Sequence, residues 1–103
     1  MDAVLVRRSK KRNPDGYVIE IVIWRLPTAV PGSRHRFKYR LFFGRHGRRI
    51  VGYDNERGKG DHKHVESLEL PYLFAGLNAL EQDFFTDIEE WRKRRENADS
   101  DDR

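Results

Sequence analysis

Apolar and polar residues alternate along most of the first half of this chain, and the period changes once, near Leu77. Residues 3 to 10, AVLVRRSK, read as a short strand that turns basic at its end. RNPDGY is then a turn signal: Asn13-Pro14 opens it, and Asp15-Gly16 supplies residues that tolerate positive φ. YVIEIVIWRL, residues 17 to 26, is rich in β-branched and aromatic side chains and gives the strongest strand signal. Tyr17, Ile19, Ile21 and Ile23 fall on one face; Val18, Glu20, Val22 and Trp24 fall on the other, as in a central strand. After the loop PTAVPGS, the segment RHRFKYRLFF (34 to 43) alternates cleanly. It predicts Phe37, Tyr39, Leu41 and Phe43 in the core and a row of cations, Arg34, Arg36, Lys38 and Arg40, on the opposite side. GRHG turns the chain, and RRIVGYD (48 to 54) returns as the second arm of a hairpin.

Residues 53 to 66, YDNERGKGDHKHVE, read as a segment loosened by Gly58 and Gly60. LELPYLF predicts a short edge strand around 68 to 74, with Pro71 arguing against a central position. From Leu77 the apolar residues Leu77, Leu80, Phe84, Ile88 and Trp91 recur at three- and four-residue steps. The spacing predicts an amphipathic helix of about four turns, acidic in its first half and closed by RKRR, matching the helix dipole. ENADSDDR (96 to 103) lacks apolar anchors and predicts a disordered acidic tail. The expected fold is α+β: one domain over residues 1 to 95, an antiparallel sheet of four to five strands, and one C-terminal amphipathic helix packed on one face.

Composition narrows the class. At 103 residues the chain is sized for a single core, and six phenylalanines, four tyrosines and two tryptophans compensate for an apolar content of 37%. The absence of cysteine excludes a disulfide scaffold and thiolate metal sites. No stretch approaches the ~20 apolar residues of a membrane span, and the apolar run near the N-terminus is too short for a signal peptide. A cytoplasmic, soluble protein without membrane contact is expected. The net charge of +4 conceals an asymmetry: residues 1 to 64 carry sixteen lysines and arginines against six acids, and residues 65 to 103 carry five against eleven. A basic body with an acidic end suggests a polyanionic partner such as a nucleic acid.

Three constellations carry chemistry. The row Arg34, Arg36, Lys38, Arg40 reads either as an ordinary solvent face or as a phosphate-binding one, since four aligned cations repel unless an anion offsets them. In GKGDHKH (58 to 64), Gly58 and Gly60 allow backbone N–H groups to approach an anion around Lys59, although a flexible hairpin explains the glycines equally well. In an extended segment His62 and His64 project to one side and Lys63 to the other. Three uses of the histidines compete: local hydrogen bonding, metal ligation completed by Asp54 or Asp61, and acid–base catalysis with Lys59 or Arg57 neutralising phosphate charge. Asp54 or Asp61 could orient an imidazole, and Tyr53 could act as a general acid or simply pack.

The run YDNERGKGDHKH, followed by PYLF and LEQDFFTDIEEWR, resembles the TumE-like toxins of bacterial type II toxin–antitoxin systems over roughly residues 17 to 95. These share a YDN-x-x-GKGDH-x-H core and a C-terminal DF-x-x-D helix. Where such relatives often have a helix-capping serine, this chain has FAGL, with Gly76 as the weaker cap. The resemblance implies growth inhibition through RNA cleavage and a cognate helix-turn-helix antitoxin. It carries Tyr53, Asp54, Asn55, Gly58, Lys59, Gly60, Asp61, His62 and His64 over as site residues. The resulting expectation is a metal-independent endoribonuclease without cofactor. His62, His64, Lys59, Asp61, Asp54 and Tyr53 would be catalytic, with Arg34, Arg36, Lys38, Arg40, Arg57 and Lys63 on RNA and Asn55, Gly58 and Gly60 in the phosphate loop. A non-enzymatic RNA- or ribosome-binding inhibitor and a metal-dependent phosphodiesterase are the alternatives. A homodimer could form through an exposed strand edge.

Overall fold

The structure, a computed structural model, describes residues 2–56 and 58–101, the side chains of 99 to 101 excepted. Six strands follow one another in the sheet in chain order: β1 (Val4–Arg12), β2 (Tyr17–Arg25), β3 (Phe37–Arg45), β4 (Arg48–Asp54), β5 (His62–Val65) and β6 (Leu68–Pro71). Each pairs antiparallel with its neighbour, so the sheet is a meander. The expected α+β class with one C-terminal helix on an antiparallel sheet holds, and the strand count is six instead of four to five. The added strand is β5, inside the segment read as a loop. Its four residues, HKHV, hold one aliphatic side chain, too weak a β signal between two glycines and a turn.

Turn chemistry fixes the register of the central hairpin. His46 and Gly47 join β3 to β4 with φ of 52° and 75°, the pair of positive angles that a two-residue hairpin requires. Glycine reaches this region freely, and histidine is among the side chains enriched there. A bulge follows: Phe43 pairs with Val51 but Gly44 pairs with Arg49, so one residue of β4 is extra.

The core lies on one face of the sheet. Ile21 and Ile23 of β2, Tyr39, Leu41 and Phe43 of β3, and Val51 and Tyr53 of β4 meet Leu80, Phe84, Ile88 and Trp91 of helix α1 (Leu77–Asp101). These are the apolar rows that alternation and helical spacing predicted. Tyr17 stacks on Phe43 at 5.5 Å, and Trp91 meets both rings edge-on. Gly76, at φ 106°, starts the helix by accepting the Leu80 N–H at 3.0 Å.

α1 is longer than four turns and includes residues 96 to 101, which the sequence reading assigned to the tail. The extension leaves its last turn without a base, and its first turn, Leu77 to Leu80, holds no acid, so the expected match to the dipole is displaced inward. Among the described residues, no helix is long and apolar enough to cross a membrane.

Adjacent helical phenylalanines give a direct test of this packing. Phe84 is fully buried and Phe85 is 41% exposed. Phe84→Ala is expected to cost about 3–5 kcal/mol in urea denaturation. Phe85→Ala should stay within about 0.5 kcal/mol.

Candidate functional site

In-register antiparallel pairs share a face, so the strand registers show what the sheet presents on the side away from α1. One rung runs Arg8, Val22, Arg40, Asp54, His62, Pro71; the next runs Lys10, Glu20, Phe42, Gly52, His64, Glu69. Two neighbouring rungs thus collect the histidine pair, Asp54, basic side chains from β1 and β3, and an aromatic ring. The His62 and His64 rings stand 5.1 Å apart at 80°.

His62 is held from two sides. Its Nδ1 lies 3.0 Å from the Gly60 carbonyl, which can only accept, and its Nε2 lies 2.6 Å from Asp54 Oδ1. Both ring nitrogens therefore face oxygen, and the side chain is only 8% exposed. Asp54 Oδ1 is itself buried and, despite that close approach, accepts no hydrogen bond of good geometry.

His64 is more open. Burial and then the positive charge of Arg49 push its pKa below the ordinary imidazole value, favouring the neutral ring. Arg49 arches over Gly52, where its Cδ lies 2.5 Å from the position a Cβ would occupy. The bulge puts it there: strict alternation would have turned Arg49 to the core side with Val51 and Tyr53.

Asp54, His62 and His64 each offer one ligand atom within 4.8 Å of the others. This donor set suits a divalent transition metal, with Glu69 Oε1 3.9 Å from His62 Nε2.

The remaining polar residues of YDNERGKGDHKH occupy other places. Asp61 is the hub of a loop clamp. Its Oδ2 accepts from His35 Nε2 at 2.6 Å and from the Tyr39 hydroxyl at 2.7 Å, and its Oδ1 accepts from Ser33 Oγ at 2.6 Å. His35 Nδ1 accepts the Phe37 N–H at 3.1 Å, which fixes the tautomer, and its ring stacks on Phe74 at 3.8 Å.

Asn55, 1% exposed, ties the same loop to β3. It accepts from Tyr39 N at 3.0 Å and donates to Phe37 O at 2.6 Å. Gly58 N donates to Pro31 O at 2.7 Å, and Gly60 lies so close to Gly32 that a Cβ on Gly32 would fall 2.8 Å from Gly60 N. These glycines bring two backbones together. Burial alone would raise the Asp61 carboxyl, but the bonds from Ser33, His35 and Tyr39 outweigh it and its pKa lies below the usual value.

Tyr53 and Lys63 point to the helix side. The Tyr53 hydroxyl donates to Asp87, Lys63 Nζ lies 3.1 Å from the same carboxylate, and burial followed by the Asp87 contact raises the Tyr53 pKa. Lys59 is exposed in the turn, 3.4 Å from Glu56. Arg57 lies outside the described residues.

The four-cation row is broken. β3 begins at Phe37, because the clamp on His35 bends the chain through residues 34 to 36. Arg34 and Arg36 therefore precede the strand, while Lys38 and Arg40 stay on the open face. Arg40 also pairs with Glu20 at 3.1 Å. Sequence reasoning missed Arg49, Phe42 and His35 as members of these clusters. Phe42 was legible, since it falls in the same alternation as Lys38 and Arg40; Arg49 was hidden by the bulge.

A family model described as Toxin TumE matches residues 2–92. The chain belongs to the TumE toxin family. No curated protein and no solved structure matches it. As a TumE toxin it is expected to have a cognate antitoxin, and the YDN…GKGDHKH segment divides between the Asp54–His62–His64 cluster on the open face and the clamp centred on Asp61.

Two measurements check these assignments. Asp61→Asn should lower stability at pH 7. A carboxyl whose folded pKa is depressed stabilises fully above the unfolded value of about 3.8 and loses that contribution as pH falls through the folded one. The gap between the two proteins in urea melts should therefore close below about pH 4. Arg49→Gln should move the His64 titration in NMR upward, toward 6.5.

Proposed function

We propose that this TumE toxin is a metal-independent endoribonuclease with its reaction centre at Asp54, His62 and His64. The observation that carries this reading is the pair of imidazoles 5.1 Å apart beside a carboxylate, on a face with basic and aromatic neighbours. RNA supplies its own nucleophile. The 2′-hydroxyl attacks the adjacent phosphorus, the P–O5′ bond breaks, and the products are a 2′,3′-cyclic phosphate and a 5′-hydroxyl.

Neutral His64 suits the base that takes the 2′-hydroxyl proton. His62 suits the acid: its Nδ1 is held by the Gly60 carbonyl, while its Nε2 faces Asp54 Oδ1 without a hydrogen bond of good geometry, so an Nε2 proton can pass to the leaving 5′-oxygen. Asp54 orients the His62 ring, and the Arg49 guanidinium supplies the cation for charge developing on the non-bridging oxygens. In this reading Arg49 takes the part expected of Lys59 or Arg57. Lys38 and Arg40 contact the RNA backbone, and Phe42 offers a face on which a base can stack. The antitoxin, a helix-turn-helix protein in this reading, would cover the same basic face with acidic residues.

The Asp54–His62–His64 donor set also favours a second reading, a metal-dependent phosphodiesterase. Purified protein incubated with RNA in chelator separates the two. Cleavage in chelator, with 2′,3′-cyclic ends and a loss of at least ~100-fold in His62→Ala and in His64→Ala, is the expected result. Activity lost to chelator and restored by a divalent ion would select the metal route. Undiminished cleavage in both variants would remove the histidines from the mechanism.

A further inference from the structure

A strongly basic cavity lies away from the histidines, at the rim where the β3–β4 hairpin meets the second half of α1. It has a volume of about 650 Å³, within the range of small-ligand clefts. Arg45, His46, Arg48, Arg49 and Arg95 line it, with Glu66 as its acidic member. Tyr17 and Trp91 form an aromatic wall: the Arg45 guanidinium sits 4.9 Å from the Tyr17 ring centre and that of Arg95 5.5 Å from Trp91.

Two features mark this cavity as a site for an anion. Like charges converging at one rim repel unless a counter-charge offsets them, and one carboxylate faces four guanidinium groups. Arg45 Nε is moreover buried without a hydrogen-bond partner, a costly state for a charged donor group that an acceptor at the rim would relieve. The cavity and the open face also share one residue. Arg49 lines it and, through the bulge, reaches over Gly52 beside His64.

We propose that this cavity is a phosphate subsite that holds the RNA strand at a phosphate flanking the scissile linkage. This rests on the reading of the protein as an RNA-cleaving toxin. A strand crossing the open face at His62 and His64 passes Arg49 and sets its next phosphates against Arg48, Arg45 and Arg95. Planar guanidinium groups suit this role because they pair with phosphate oxygens two at a time. The subsite gives affinity and register, while the histidines do the chemistry.

The test compares a dinucleotide with an RNA of about ten nucleotides, using wild-type protein, Arg48→Gln and the Arg45→Gln/Arg48→Gln double variant. Arg48 is exposed, so its variant keeps the fold even if Arg45→Gln does not. For the longer RNA, KM should rise at least ~10-fold in the double variant with kcat within about twofold, while dinucleotide cleavage stays unchanged. The slope of log affinity against log salt should fall by about 1.4, at ~0.7 for each lost single-strand contact. Unchanged KM for both substrates overturns the proposal.

Binding of a 2′-O-methyl oligonucleotide, followed by the Trp91 indole NMR signal, is the arm independent of cleavage. If no RNA is cut yet the signal shifts and the shift is lost in Arg48→Gln, the subsite stands and the nuclease reading falls. If inorganic phosphate or a free nucleotide binds as tightly as the oligonucleotide, the cavity serves a small anion and the RNA assignment is overturned.

Discussion

One half-buried carboxylate holds the loops around the histidine pair in place. Asp61 accepts hydrogen bonds from Ser33, His35 and Tyr39, three groups more than twenty residues away in sequence. That single side chain joins the loop before β3 to the turn before β5. Because Asp61 directly precedes His62, fixing it also fixes where β5 begins and how it pairs with β4. Gly60, pressed against Gly32 in the same clamp, then offers its carbonyl to His62 Nδ1. A buried polar network of this kind is stabilising only when every member is satisfied, and here Asn55 completes it through Ser33 and the Phe37 carbonyl.

The sheet places its apolar core and its histidine cluster on opposite faces. On one, Phe43, Tyr53 and Phe84 supply large buried surfaces, and the Asp87 carboxylate serves the Tyr53 hydroxyl and Lys63. On the other, the two rungs through His62 and His64 carry cations, a carboxylate and Phe42, and no helix of the described residues packs over them. The division follows from the period of two along each strand: HKHV sends Lys63 and Val65 toward the helix side and both imidazoles to the opposite side. Rigid strands also hold such groups more closely than a free loop would. The proposed phosphate subsite fits this plan, since it lies at the rim where Arg49 links the two environments.

The parts legible in advance were those decided by local period and composition. Alternation in YVIEIVIWRL and FKYRLFF, and the three-and-four spacing from Leu80 to Trp91, depend on neighbours in sequence, and each face packs as that pattern requires. The weak strand β5 was not legible, because its place is set by pairing with β4 and β6 and by the clamp before it. Arg34 and Arg36 looked like a continuation of β3 because nothing local shows that His35 is drawn onto Asp61, 26 residues away.

The sequence by itself determined an α+β domain of the TumE kind, the apolar rows that form its core, and the histidine pair projecting to one side. Tertiary structure decided which polar residues of YDNERGKGDHKH stand together. It sent Asp54 to the imidazoles, Asp61 and Asn55 to the clamp, and Tyr53 to the helix face. It also brought Arg49 to His64 through one extra residue in β4. The reason is physical: side-chain period is local, whereas a bulge and a buried hydrogen-bond network arise only when distant strands are in register.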